Sequence, residues 1–366
     1  VKIVESIRFP LRVVAIGGGT GLPVVLRGMK SLLFPEGTDD PGRLVAVVTV
    51  TDEGGSSGRL RDELGMLPPG DVRNCLVALS HNEPLMSRLF QTRYRCGGVL
   101  DGHSVGNLIL AGLAQEENGF LGAVELASEV LNIQGRVYPS THVHTRLVAG
   151  LRDGRHVIGE AALIAAGGIV DSLKIEPSDP PATNGVVEAI DKADIVVLGP
   201  GSLYTSIIPN ILIPDVSEAL RRTKAFRVLV VNAMTEVGET GQFSAADHVR
   251  AVHRHAGEGV LDAALLACDE IPVRVQIRYQ AEGAEPVNSE DDEIDALVPN
   301  VFRKKMLKTT PKVRHDPILT AGSVLTSYAS WRNERREGVS GDSRAAKKKD
   351  SERDERDTPR LREGRQ

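Results

Sequence analysis

The chain is poor in aromatic surface, in cysteine and in long apolar runs, and each shortage excludes something. Phe, Tyr and Trp make up 4% of 366 residues, too few for the stacking platforms that hold single-stranded nucleic acid. Cys75, Cys96 and Cys268 are widely separated and odd in number, so neither a disulfide framework nor a zinc ribbon is signalled; they read as ordinary thiols of a reducing compartment. Apolar stretches end after five to seven residues and no cationic flank precedes one near the start. No membrane span or secretory leader is expected, and a cytoplasmic location is. Excess positive charge is missing too. The net charge is −5, and from Arg332 onward 12 basic side chains face 9 acidic ones, leaving about −8 on the rest. Such a body offers no general field for DNA or RNA.

What the chain does have is glycine, 37 in all, and a hydrophobic fraction of 41%. That favours close backbone packing in an α/β core, and the length calls for one large unit with extra elements or for two lobes. Two successive apolar strands break into glycine-rich turns: Arg12–Ile16 into Gly17-Gly-Gly-Thr-Gly21, and Leu44–Val50 into Thr51-Asp-Glu-Gly-Gly-Ser-Ser-Gly58. Glycine removes the Cβ that would hold a ligand off the backbone, and a helix starting after such a turn points free N–H groups outward. The helical spacing of Leu22–Leu33 between them makes a βαβ unit, whose right-handed crossover places both turns on one edge of a parallel sheet. Further on, Asp194–Leu198 and Phe226–Val231 read as buried strands, the first breaking into Gly199-Pro-Gly-Ser-Leu-Tyr-Thr-Ser206 and the second ending at Asn232. Gly17, Thr51, Gly199 and Asn232 should then share the edge at which open α/β sheets bind ligands, and several Gly, Ser and Thr breaks suit a ligand with more than one phosphate.

The fold class expected is α/β: a Rossmann-like, mostly parallel sheet with helices on both faces, spanning residues 1–330. Short β runs between residues 136 and 175 suggest a small β-rich insertion. Val72–Leu79 reads as a helix with Asp71 as its N-cap. Ile271–Gln280 is ambiguous, because Val273, Val275, Ile277 and Tyr279 alternate like a strand yet also fit a helix. From residue 331 only Val339, Ala345, Ala346 and Leu361 are apolar beyond Trp331; residues 331–366 should form a disordered charged tail. Its Lys347–Lys349 run reads as part of a solvated, mixed-charge segment.

Several motifs fall short. Leu22 stands where the third glycine of the dinucleotide fingerprint belongs, no acidic residue ends the second strand at the usual distance, and no Walker A lysine is present, which disfavours hydride transfer and P-loop chemistry. Gly102-His-Ser-Val-Gly106 matches G-x-S-x-G, but no strong strand precedes it; a loop capping the helix at Asn107 accounts for it better than a hydrolase using His103, His142, His144, His253 or His255 as base. His142 with His144, and His253 with His255, lack a third metal ligand nearby. Asp52, Glu53 and Asp71 differ, since hard carboxylates beside a phosphate site suit Mg²⁺, with Asp52 and Asp71 the candidate pair; turn formation and helix capping are the equal alternative.

Ile16–Leu22, Val50–Arg61, Pro69–Asn74, Gly102–Leu108 and Gly199–Asn210, in this order and spacing, resemble the bacterial gluconeogenesis-factor (YvcK-like) family within the 2-phospho-L-lactate transferase (CofD) superfamily. The resemblance implies a Rossmann-type fold, binding of UDP-sugars such as UDP-N-acetylglucosamine, a role in cell shape and peptidoglycan precursor supply during gluconeogenic growth, and a protein partner in that supply. By the same resemblance Gly17, Gly18, Gly19, Thr20 and Gly21 hold the diphosphate together with Gly199, Gly201, Ser202, Thr205 and Ser206. Asn107 and Asn232 line the cleft, Ser56 and Ser57 join from the second turn, and Tyr279 and Arg314 reach the nucleotide-sugar. Asp52-Glu53 stands where transferase relatives carry an acidic pair, so the candidate catalytic residues are these two, and a Mg²⁺-dependent nucleotidyl- or phospho-transferase is the alternative to a non-catalytic regulator. Thr309, Thr310 and Thr358 lie near or within flexible basic sequence and are candidate sites for a Ser/Thr kinase. Homo-oligomerisation is left open.

Overall fold

The computed structural model describes residues 10–37, 40–117, 119–290, 292–309 and 312–354, with side chains as far as Arg336. Its strands are β1 (Val13–Gly17), β2 (Leu44–Val48), β3 (Arg136–Pro139), β4 (Arg146–Leu151), β5 (His156–Ile158), β6 (Val170–Glu176), β7 (Ile195–Leu198), β8 (Phe226–Val230), β9 (Ala263–Ala267), β10 (Asn300–Lys304), β11 (Leu307–Lys308) and β12 (Arg314–His315). Seven of them form one sheet in the order β10-β9-β8-β7-β1-β2-β3, and every pair in it is parallel.

The continuous apolar runs of β1, β2 and β7 follow from burial on both faces. Val13 and Ala15 of β1 enter one core with the helices Leu22–Leu33, Gly70–Leu79, Val105–Glu116 and Phe120–Val130. Val14 and Ile16 enter the other, with helices Pro214–Arg222 and Ala245–Ala256. The chain builds outward from β1 to β3 on one side, then returns to β7 and builds outward to β10 on the other. Strand order therefore reverses between β1 and β7, as the two-sided Rossmann-like class requires.

The β-rich insertion is smaller than the sequence suggests. Arg136–Pro139 belongs to the main sheet, where Val137 pairs beside Ala46; within the insertion only β4, β5 and β6 make an antiparallel sheet, in the order β5-β4-β6, and β11 pairs with β12 as a separate antiparallel ribbon. The ambiguous segment is a helix, Val273–Ala281. A strand would have put all four alternating residues on one face, whereas the helix buries Val275 and turns Tyr279 into a small core with Met234, Ile271 and Val313. Val273 and Ile277 are left exposed.

The boundary at residue 330 also moves. The backbone is helical from Pro317 to Asp354, and Trp331 continues the inward stripe of Leu325 and Tyr328, its ring centroid 5.2 Å from that of Phe226. Seen by composition, Trp331 marks the start of a polar segment; one helical turn past Tyr328, it completes a core face. The Lys347–Lys349 side chains and Thr358 lie outside what is described.

This C-terminal helix docks on Gly28, where an added Cβ would lie 1.9 Å from the Pro317 carbonyl oxygen and 2.7 Å from the Ala321 Cβ. Gly28→Ala is therefore expected to destabilise the fold by about 1–3 kcal/mol, read from the urea midpoint. Gly112, exposed inside the helix Val105–Glu116 with nothing within 4 Å of its added Cβ, should gain roughly 0.5–1 kcal/mol on substitution by Ala.

Candidate functional site

Two turns meet outside the carboxyl ends of β1 and β7. The first leaves β1 at Gly17, passes Gly19 in the left-handed region (φ 60°) and enters the helix Leu22–Leu33. The second passes Gly199 (φ 73°) and Gly201 (φ 150°) into a π-helical turn, Leu203–Ile207, which runs on as the helix Ile208–Ile211. Gly21 is where they touch: an added Cβ would fall 2.1 Å from the Pro200 carbonyl oxygen. The buried Asn210 amide ties the pair, donating to the Gly17 carbonyl (3.2 Å) and the Ser206 carbonyl (2.7 Å). At the end of β8, Asn232 Oδ1 accepts the Gly201 N–H at 3.0 Å.

Between these turns opens a crevice of about 280 Å³. Of the residues singled out in the sequence, Gly19, Thr20, Gly21, Gly201, Ser202, Asn232, Tyr279 and Arg314 line it. Arg314 Nη1 lies 3.4 Å from Thr20 Oγ1, and the Tyr279 hydroxyl accepts the Val313 N–H at 3.0 Å, so two segments distant in sequence form one wall. Lys312 adds a second cation. Gly17, Gly18 and Gly199 instead shape the backbone beneath: a Cβ on Gly18 would strike Asp71 Oδ2 at 2.6 Å and Thr49 Cγ2 at 2.7 Å. Thr205 and Ser206 are buried behind the second turn.

Carboxylates crowd the first two turns. Asp71 does not cap its helix. It sits in the first turn of Gly70–Leu79 and reaches across to accept the Gly19 N–H at 2.7 Å. The surrounding protein, and next the Asp52 charge, push its pKa up to about 6, although one edge stays open to solvent. Asp52 makes a local turn, Oδ1 accepting the Gly54 N–H at 2.8 Å. Glu53 is paired with Arg61 at 3.2 Å and its N–H is accepted by Glu160 at 3.2 Å; burial, then Asp52 and Asp71, push the Glu160 pKa up to about 8. Behind the second turn the buried Glu239 accepts the Tyr204 N–H (3.2 Å) and the Thr205 hydroxyl (3.0 Å), while Glu236 accepts from the Asn232 amide at 3.3 Å. Burial raises both pKa values; the Glu236 charge raises that of Glu239 further, and a hydrogen bond from Ser202 holds that of Glu236 down. Among the described residues no group of three or more His, Cys, Asp or Glu is arranged to hold a metal ion.

Asn107 and Ser56 belong to a neighbouring buried cluster. Arg73 Nη1 donates to Ser104 Oγ and, at 2.6 Å, to Asn107 Oδ1; the Asn107 amide donates to Ser56 Oγ at 3.0 Å, which meets His103 Nδ1 at 2.9 Å. Arg73 also holds Asn74 at 2.8 Å, whose amide reaches the Gly19 carbonyl at 3.5 Å. Burial, ahead of Arg93, lowers the Arg73 pKa to about 10. Ser104 is the N-cap of Val105–Glu116, accepting the Asn107 N–H at 3.2 Å, which accounts for the G-x-S-x-G match. Ser57 is buried beside Gly70. The histidine pairs are spoken for in part: His144 Nε2 bonds the Gly65 carbonyl at 3.0 Å, and His255 accepts the Leu173 N–H at 3.0 Å while its other nitrogen bonds the Ala251 carbonyl. Thr309 is partly exposed on the segment after β11; Thr310 lies outside the described residues. Glu160, Glu236, Glu239 and His315 are not marked by the sequence, because each sits in a segment of ordinary composition and gains its place only through folding; Asn210 closes a marked motif, but its tie to Gly17 is visible only in the fold.

An open parallel sheet, reversed at β1 and β7 and carrying two glycine turns over that reversal, defines an α/β protein of the Rossmann type. Residues 13–307 match the family model described as 2-phospho-L-lactate transferase CofD, and the chain belongs to that family. It is 41% identical over 314 residues to the gluconeogenesis factor of Halalkalibacterium halodurans, covering 86% of this chain and 95% of that one. It is 41% identical over 306 residues to the gluconeogenesis factor of Bacillus subtilis, covering 83% and 94%. A crystal structure of a UPF0052-family protein from Bacillus halodurans superposes with a TM-score of 0.81 at 40% identity, over 87% of this chain and 99% of that one. Among the described residues no helix is long and apolar enough to cross a membrane.

The acidic wall has a thermodynamic signature. Folded Glu160 keeps its proton up to about pH 8, whereas the unfolded side chain releases it near its ordinary value of 4.5. The folded state thus binds more protons in that window, so stability falls as pH rises through it. Glu160→Gln should raise the urea midpoint at pH 8 and leave it nearly unchanged at about pH 4, flattening the profile; an unaltered slope between the two would contradict this electrostatic origin.

Proposed function

We propose that the chain is a UDP-sugar-binding regulatory factor, with UDP-N-acetylglucosamine as its ligand, acting through a protein partner on cell-wall precursor supply and cell shape during growth on gluconeogenic carbon. The observation that carries the proposal is the contact of Gly21 with Pro200, which sets two amide-rich turns facing one crevice at the strand-order reversal. Such a place suits a diphosphate, held by backbone N–H groups and helix starts. Arg314 and Lys312 supply balancing charge, and Tyr279 offers a ring and a hydroxyl to the remainder of the ligand. The relatives' name, gluconeogenesis factor, supports the physiological part. Calorimetry with purified chain should give saturable binding of UDP-N-acetylglucosamine; binding of GDP or a deazaflavin in its place would overturn the assignment. Arg314→Ala should weaken that binding by about tenfold or more, the loss expected when a charge-assisted bond to phosphate is removed.

The acidic wall favours a second reading, a Mg²⁺-dependent transferase. Asp71 holds the Gly19 N–H and sits beside the charge of Asp52, so a divalent cation there would relieve like-charge repulsion and screen the carboxylates from a phosphate. If this reading holds, turnover of UTP with sugar phosphates is lost on adding EDTA and in Asp52→Asn; no turnover with Mg²⁺ present counts against it.

A further inference from the structure

The crevice is too small for the ligand proposed for it. Its roughly 280 Å³ lies at or below the low end of the ~300–1,000 Å³ that drug-sized ligands occupy, while a nucleoside, a diphosphate and a sugar are arranged end to end. The diphosphate is the part that matches the glycine turns and cations. Another part must continue along the sheet edge.

A second space lies there. It opens beyond the carboxyl ends of β9 and β10 with a volume of about 660 Å³. Ala233, directly after Asn232, faces both spaces. The helix Val273–Ala281 stands between them, presenting Tyr279 to the crevice and Gln276 and Gln280 to the second space. His315 lines the crevice, and the charge acting on its ring is Asp269 of the second space. The His315 ring bonds the Val231 carbonyl, and its Nε2 is buried with no partner. The ring on the crevice wall that feels the Asp269 charge thus carries a buried polar atom without a protein partner.

The chemistry of the two spaces differs. Among the described residues no glycine turn and no lysine face the second one; its walls carry the amides of Gln280 and Asn288, the carboxylates of Asp269, Glu270, Glu285 and Glu290, and Arg303, which donates to the Ser289 carbonyl at 2.7 Å. Phosphate would meet repulsion there, whereas a neutral ring bearing hydroxyls and an amide finds both acceptors and donors. We infer that this second space is the sugar subsite: the diphosphate bridges the glycine turns and the N-acetylhexosamine passes Ala233 to lie among Asp269, Gln280, Glu285 and Asn288. This rests on the UDP-sugar reading of the crevice and adds the place and the recognition chemistry of the sugar.

The subsite contains its own reporter. Cys268 is an exposed free thiol on its wall, Cys96 is exposed but lines neither space, and Cys75 is buried. Iodoacetamide alkylation of the full chain, followed by peptide mass spectrometry, reads both exposed thiols at once. With UDP-N-acetylglucosamine at about ten times its Kd, Cys268 should be alkylated roughly tenfold more slowly, the occupancy expected by mass action; UDP at the same saturation should leave its rate unchanged, and neither should affect Cys96. Equal protection by UDP, or no protection by UDP-N-acetylglucosamine while calorimetry shows saturation, overturns the subsite. Absence of calorimetric binding by both nucleotides instead removes the UDP-sugar reading, and the subsite with it. Cys268→Trp, which fills the space, should weaken UDP-N-acetylglucosamine by about tenfold and leave UDP unchanged; equal weakening of both overturns the assignment.

Discussion

Everything about the candidate site depends on two stretches of backbone coming closer than side chains would permit. Gly21 and Pro200 are neighbours only because β1 and β7 pair in the sheet, Ile16 beside Leu198, and because residue 21 has no Cβ to strike the Pro200 carbonyl. The contact sets the spacing of the two turns, and Asn210, bonded to both of them, locks it. A wider gap would leave the amides pointing at solvent; at the observed distance they face a common space.

The same turns are held from behind by acids. Asp71 takes the Gly19 N–H and Glu239 takes the Tyr204 N–H and the Thr205 hydroxyl. Donors that a phosphate would use are thus partly engaged by the protein, which makes the turns rigid and keeps negative charge close to an anion site. Arg314 and Lys312 on the opposite wall oppose that charge. The site is therefore a balance between hydrogen-bonded carboxylates and exposed cations, more than a simple positive cradle.

Much of this arrangement is legible in the residues themselves. Apolar runs ending in glycine, as at Gly17 and Gly199, announce strands that stop at a shared edge, and the βαβ rule orders them without further information. Tyr279 and Arg314 line the crevice with the glycine turns. The misses share one cause. Arg136–Pro139, Asp71 and Trp331 each look local: a short β run, a helix cap, the start of a charged tail. Each is decided by a partner far along the chain, namely β2, Gly19 and Phe226. The Arg73 clamp on Asn107 and the carboxylate of Glu239 escape notice in the same way, because a buried polar residue leaves no periodic trace.

The pairing of Arg314 with Thr20 joins residues 294 positions apart, and that separation orders events in time. A chain emerging from its N-terminus presents the first glycine turn early, while the wall that Arg314 supplies does not exist until nearly all of the described fold has been made. Contacts of such sequence separation are slow to form and costly in chain entropy. The first turn is therefore synthesised long before the segment that completes the crevice around it, and the crevice closes only once the chain around Arg314 has docked.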